Sequence, residues 1–335
     1  MRAMNTGDMA HNFMLQKRNI ALKQDINRLT DELASGQVAD VRSVLNGNFS
    51  RLTDIERTLD VLKGYKVATA EATHFASGVQ NALERVGTLG EELSQSLLLS
   101  GATTVGASGA TEIATEAEKT LNSMINSINT RVSGRALFAG TATNTSPLAS
   151  ADDLLNALRS AIGGALTPDD MIAASKVWFD DPAGFSATVY QGASQSLAPI
   201  ALSDTESVAL DIRGNDPELR ESLRSASLAA LATDPVFGFT PGQQSELFAK
   251  AGTEMIGARD QVTFLRARVG FTEGRIDETS SRNAAEVTGL EFARNALLAI
   301  DPFETATQLE SVQFQLQSLY AVTVRMSQLS LVNFL

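Results

Sequence analysis

The chain has 335 residues, of which 43 % are hydrophobic and only 6 % aromatic. That is length for two or three domains, with too few aromatics for a large compact globule, and it suits long thin helices packed through small contacts. Lys and Arg total 27 against 39 Asp and Glu, a net charge of −12 that argues against a nucleic-acid binder, because phosphate contact needs a basic patch. There is no cysteine, so disulfides, thiolate nucleophiles and cysteine-based zinc sites are excluded together.

The first element is an amphipathic helix running to Ala34. Leu15, Leu22, Ile26, Leu29 and Leu33 form a heptad-spaced seam, while Lys17, Arg18, Lys23, Asp25 and Arg28 leave the opposite face charged and solvated. His11, Asn12, Lys17 and Arg18 stand where a cleavable signal peptide needs an apolar stretch, so none is expected. No run of 18 apolar residues occurs anywhere, so no membrane helix is expected either. Ser35-Gly36 and Asn46-Gly47-Asn48 break the helix. A long helical pattern follows from Ser50 to Leu99. It opens on Leu52, Ile55, Leu59 and Leu62, closes on Val79, Leu83, Val86, Leu93 and Leu97, and is weakened in between by Gly64 and Gly78. Unbroken, it would be about 75 Å long, normal for a rod or bundle.

Gly101 to Gly109 is glycine-rich, but no Lys follows the glycines and no strand precedes them. It reads as a helix–helix connection and not as a nucleotide site. Thr111–Val132 is the next helix, with Ile113, Ala117, Leu121, Met124, Ile128 and Val132 on one stripe, folding back on its predecessor. Composition changes after Gly140, and Thr141–Pro147 marks a domain boundary. Short helices are predicted over Leu154–Ile162 and Met171–Phe179, each preceded by paired aspartates, Asp152-Asp153 and Asp169-Asp170. These carboxylates read as caps and first-turn residues that suit the helix dipole; neighbours on a helix do not face each other, so they make a poor catalytic pair. Phe185–Gln191, Ser196–Leu202 and Ser207–Arg213 are strand-like, the last two as a hairpin. Asp216-Pro217-Glu218 starts a helix to about Leu231, and Trp178, the only tryptophan, is expected to anchor the core of this insert.

Asp234-Pro235, Gly238 and Pro241-Gly242 mark the return. Leu247, Ala251, Met255, Ala258, Val262, Leu265 and Val269 resume a long helical pattern that reaches Leu298, with Arg266, Arg268, Glu273 and Asp277 on a solvated face. Asp301-Pro302 starts the last helix, Asp as the cap and Pro in the first turn. Leu309, Val312, Leu316, Leu319, Thr323 and Met326 fall at alternating spacings of three and four, again a heptad seam. Beyond Thr305 only Glu310 and Arg325 carry charge, and the chain stops on the apolar Leu331–Leu335. Such a helix wants partners on more than one face. Two heptad segments at opposite chain ends suggest that the termini pair and the middle projects outward; two unrelated amphipathic helices, each buried in its own domain, would give the same pattern.

The N-terminal seam with Leu33-Ala34-Ser35-Gly36, the stretch Gly134-Arg135-Ala136-Leu137-Phe138-Ala139-Gly140 and the C-terminal heptad with its apolar tail together resemble the flagellin superfamily. Within it, they are most similar to the alphaproteobacterial form of the hook-associated protein 3 family, the hook–filament junction proteins. The resemblance covers roughly residues 5 to 145 and 245 to 335. One departure from filament flagellin stands out: Gln37-Val38-Ala39-Asp40-Val41-Arg42 replaces the usual basic, Asn/Asp/Ala-rich continuation. It favours a junction protein over a filament subunit without excluding the latter. The resemblance implies export, unfolded, through the flagellar type III apparatus to an extracellular site, with an export chaperone holding termini that order only on assembly. It implies as partners further copies of the chain, the hook-side junction protein and flagellin.

The expected fold is therefore mainly α: an elongated bundle of long helices, paired terminal coiled-coil helices and a small α+β insert domain. The expected division is 1–40 with 296–335 as a terminal assembly layer, 41–145 with 240–295 as the bundle, and 146–239 as the insert. The expected assembly interface is Leu15, Leu22, Ile26, Leu29, Leu33, Leu309, Val312, Leu316, Leu319 and Met326. His11 and His74 lie far apart without companions, so no catalytic, metal or cofactor site is expected, and no cofactor. A coiled-coil scaffold unrelated to flagella is the alternative from a different class.

Overall fold

The computed structural model describes residues 4–45, 48–102 and 106–332. The expected breaker Asn46-Gly47, the centre of the glycine-rich connection (103–105) and the end of the apolar tail (333–335) lie outside the described residues. Chain contacts divide the protein into two compact units, residues 1–62 with 285–335 and residues 63–284. Long helices dominate, with two small antiparallel sheets among the described residues.

In the first unit, α1 spans Met4–Ser35, the short α2 spans Val41–Val44, and α10 spans Pro302–Val332. Asp301 caps α10 as its sequence suggests: its Oδ1 accepts the backbone N–H groups of Phe303 and Glu304 at 2.9 and 3.1 Å, satisfying donors that a helix start leaves free. Two longer helices, α3 (Ser50–Gly101) and α9 (Pro241–Leu298), contribute residues to both units.

In the second unit, α3 and α9 run antiparallel. Gln80 Nε2 donates to the Arg266 carbonyl at 2.8 Å, and Arg259 pairs with Glu91 farther along. Against them lies α4 (Ala107–Ile128), whose Leu121, Met124, Ile125 and Ile128 are buried. This helix ends four residues before the expected Val132. That residue enters a hairpin instead, β1 (Arg131–Val132) with β2 (Arg135–Ala136), turned by Ser133 and Gly134, both at positive φ. The hairpin explains a second difference. Gly78 does not weaken α3: a Cβ there would stand 2.6 Å from Val132, so the glycine is the notch into which the hairpin packs.

The insert is more helical than its sequence suggests. Helices α5 (Ala151–Ile162) and α6 (Pro168–Asp180) are capped by Ser150 and Thr167, not by the paired aspartates. Asp153 and Asp170 close reciprocal caps, their N–H groups bonding the two hydroxyls. Phe185–Gln191 is not a strand: Phe185–Thr188 forms the short helix α7. One hairpin remains, β3 (Ile200–Ala201) with β4 (Ser207–Val208), followed by α8 (Pro217–Ala230). Trp178 is not the buried anchor. Phe179 and Phe185 stack at 5.0 Å in the core, and the half-buried Trp178 covers both edge-on. The core runs without interruption from α3, α4 and α9 into the insert. Buried Arg224 pins α8 to α9 by pairing with Glu221 and Glu254 at 2.5 and 3.0 Å. Glu206, at the β3–β4 turn, accepts from Arg275 and Arg282 of α9 at 2.9 and 2.6 Å.

Tyr190 gives this core an alkaline limit. Burial pushes its phenol from the ordinary value near 10 up to about 12. The folded chain therefore keeps a proton that the unfolded chain loses near pH 10, and stability falls as pH rises from 10 towards 12. In urea titrations at pH 9 and pH 11.5, Tyr190→Phe should start about 1 kcal/mol less stable, because it lacks the hydroxyl's bond to the Ala193 carbonyl. It should also lose less than the parent between the two pH values. An equal loss would show that Tyr190 ionises alike in the folded and the unfolded chain.

Candidate functional site

The terminal helices build the candidate site, an assembly surface. α1 and α10 pack against each other. Where they meet the rest of their unit they are clipped together. Gly36, at φ +71°, ends α1, and the chain then pairs with the segment before α10. Gln37 and Ala299 form an antiparallel bridge, the Val38 N–H donates to the Leu298 carbonyl at 2.9 Å, and the Ile300 N–H donates to the Gly36 carbonyl at 3.2 Å. Gln37 adds a side-chain bond to Asn295 at 3.3 Å. The clip joins the C-terminal end of α1 to the N-terminal end of α10, so the two helices run antiparallel.

Along the pair, Leu22 and Leu29 are fully buried, and Leu15, Ile26, Leu309, Val312, Leu316, Leu319 and Met326 are half-buried. Leu33 does not join them: it is 39 % exposed. Glu32 takes the inward place, because its carboxylate accepts the Ala39 N–H at 3.0 Å and binds Arg28 through two contacts of 3.0 and 3.1 Å. A carboxylate so partnered is held beside the clip at a cost that a lone buried charge would not recover. Polar seam residues add register. An Asn19 hydrogen bond, with Lys23 beside it, holds the Tyr320 phenol below its ordinary range and ties α10 to α1. Asn19 sits between Leu15 and Leu22 at a heptad position, where one polar residue fixes alignment at some cost in stability. That heptad position was the only sequence signal for it.

The half-buried seam has spare apolar surface. Phe13, Met14, Ala21 and Leu22 line an open groove of about 600 Å³ together with Lys17, Arg18, Asp25 and Gln315. The outer faces are apolar too. Phe303 and Phe314 stand eleven residues, three turns, apart on α10, opposite its seam, and Phe303 is 84 % exposed. Ile20 stands on the outer face of α1. One helix pair thus shows apolar surface in its groove and on both outer faces, far more than isolated surface hydrophobics require. Among the described residues, no group of three or more Asp, Glu or His could hold a metal ion, and no helix is long and apolar enough to cross a membrane.

Comparison with known proteins bears on the C-terminal segment and on the fold. Residues 254–335, which include all of α10, match the family model of the bacterial flagellin C-terminal helical region. Part of the fold is similar to the solved structure of a protein from Vibrio parahaemolyticus described provisionally as flagellar hook-associated. The two share 15 % identity over 73 % of this chain and 95 % of that one, with a TM-score of 0.52. At that identity the likeness is one of fold. No curated protein matches the chain in sequence.

Proposed function

We propose that the chain is a structural subunit of the bacterial flagellum, seated where hook meets filament, of the hook-associated protein 3 type and alphaproteobacterial form. The observation that carries this reading is the clipped α1–α10 pair, apolar on several faces, whose α10 lies within the segment matched to the flagellin C-terminal region. Isolated helices are marginal in water and depend on packing, so such a pair gains most from neighbouring copies. Contacts between unlike patches on successive copies do not close and therefore build a tube. The partners on this reading are further copies, the hook-side junction protein below, flagellin above and an export chaperone before secretion. The working site is extracellular, reached through the flagellar export apparatus.

A filament subunit is the second reading, favoured by the same flagellin match. Gene deletion separates the two. Loss of a junction protein leaves hooks on the cell and sheds flagellin, still made and exported, into the medium; complementation restores filaments. Loss of a filament subunit removes the major filament protein itself, with no second flagellin in the medium. A strain that swims normally without the gene contradicts both.

A further inference from the structure

In the second unit the inward stripes of α3 and α9 turn polar together. On α9 the buried positions run Val262, Leu265, Val269 and Ile276, and the next two are Thr279 and Asn283. On α3 the buried Ala72 is preceded by Thr69, buried too, and one turn earlier by the half-buried Tyr65. The unit spans residues 63–284, so these are the stretches where α3 enters it and α9 leaves it. Apolar burial holds the two helices farther along and thins here, and stretches with few buried apolar contacts open locally at low free energy.

The β3–β4 hairpin covers this polar stretch. Its base is fixed in the core, where Leu202 and Val208 are buried. Its turn keeps its own shape: the Leu202 N–H donates to the Glu206 carbonyl at 2.8 Å, and the Ser203 hydroxyl accepts the Glu206 N–H at 3.1 Å. From that turn, contacts reach both long helices. The Tyr65 hydroxyl of α3 donates to Asp204 at 2.6 Å. On the α9 side, Asn283 Nδ2 donates to the Leu202 carbonyl at 2.8 Å, while Glu206 takes Arg275 on Oε1 and Arg282 on Oε2. Arg282 also donates to the buried Thr279 hydroxyl at 3.1 Å.

We infer that the β3–β4 turn is a strap across α3 and α9, with the Glu206 carboxylate as its catch, and that release of the catch frays this end of the unit while the rest stays folded. Among the described residues, this one carboxylate carries every ion pair between the turn and α9. Arg275 and Arg282 are each about half exposed, so their pairs are screened by water and the catch can open. Chiefly the Arg275 bond, with help from Arg282 and Thr279, holds the Glu206 carboxyl below its ordinary value near 4.5, against burial, which raises it. Its folded value is depressed, so its contribution is whole above pH 4.5 and is lost as pH falls below that. The other acids at the strap are Glu278, paired with Arg282, and Asp204, bonded by Tyr65. The strap belongs to the single folded chain and does not depend on assembly.

Hydrogen exchange of the purified full-length chain at pH 7, read by mass spectrometry, tests the strap. Glu206→Gln keeps the shape of the side chain and removes its charge. It should speed exchange in residues 63–72 and 276–284 by about tenfold or more, leaving α4 and residues 220–262 unchanged. Arg282→Gln, which leaves Arg275 on the carboxylate, should move the same two stretches by a smaller factor. Glu91→Gln is the control: it removes an exposed ion pair with Arg259 between the same helices and should change neither stretch. Between pH 5 and pH 3, with rates corrected for intrinsic exchange, the parent should approach Glu206→Gln. Parent-like exchange in both variants would show that apolar burial alone holds this end. Faster exchange across the whole unit would make Glu206 an ordinary contributor to global stability. Either result overturns the strap.

Discussion

Leu316→Asp or Leu319→Asp abolishes incorporation into flagella while residues 63–284 stay folded; that is the expected result of charging the α10 seam. Both leucines are only half-buried in the single chain, so the folded monomer tolerates the carboxylate at the groove's edge. In an assembled tube the groove is covered, and the carboxylate loses its water without gaining a partner, since from Thr305 onward α10 carries only Glu310 and Arg325. A penalty of about 3 kcal/mol per copy lowers each association step by roughly a hundredfold, and it recurs at every copy. The near-ultraviolet circular dichroism of Trp178, the chain's one tryptophan, reports separately on the second unit and should be unchanged. Attached filaments in a strain carrying either variant would show that the seam is not the assembly surface.

Gly140→Ala should strongly destabilise the second unit. Gly140 sits at φ +58°, and a Cβ would lie 2.3 Å from the Gln195 carbonyl oxygen and 2.9 Å from that of Ala193. Neither oxygen can move freely. The Thr141 N–H donates to the first and the Tyr190 hydroxyl to the second, both at 2.9 Å, while the Ala193 N–H donates to the Ala139 carbonyl. The expected loss is about 3 kcal/mol or more, combining left-handed strain with displaced hydrogen bonds. That is a fall in Tm of roughly 6–12 °C for a unit of this size. Gly134→Ala is the control. It too has positive φ, but open space surrounds it, so only about 1 kcal/mol of backbone strain is expected. Equal melting temperatures for the two variants would mean that the loop at 193–195 yields and the close approach carries no energy.

These two predictions sit on features that differ in how plainly the sequence shows them. The seams were legible because helical periodicity repeats over several turns; the helices α3, α4, α9 and α10 follow from spacing and caps. The stretch Gly134–Gly140 was visible as a motif, but its physics was not. It is a hairpin turn, a two-residue strand, two core residues (Leu137, Phe138) and a glycine against a distant carbonyl, and only the fold brings that carbonyl near. Phe185–Gln191 misled through its alternating large residues, which tertiary packing of Phe185 beneath Trp178 and over Phe179 turned into a helical turn. Leu33 was placed in the seam by period alone. The last turn of α1 instead serves the clip, and the clip joins residues 258 apart in sequence, beyond the reach of any local pattern.

Gln37–Arg42 gains a physical meaning from the clip. Gln37 and Val38 carry its hydrogen bonds to Leu298 and Asn295, and the Ala39 N–H bonds the Glu32 carboxylate. The same stretch is therefore the one that ties the end of α1 to the segment before α10.

Immunogold labelling of intact flagella, with antibody raised against residues 146–239, tests the central claim most directly. A single narrow band where hook meets filament is the predicted result. Label along the whole filament contradicts the junction and makes the chain a filament subunit; no label on the flagellum contradicts the flagellar reading altogether and leaves a helical scaffold.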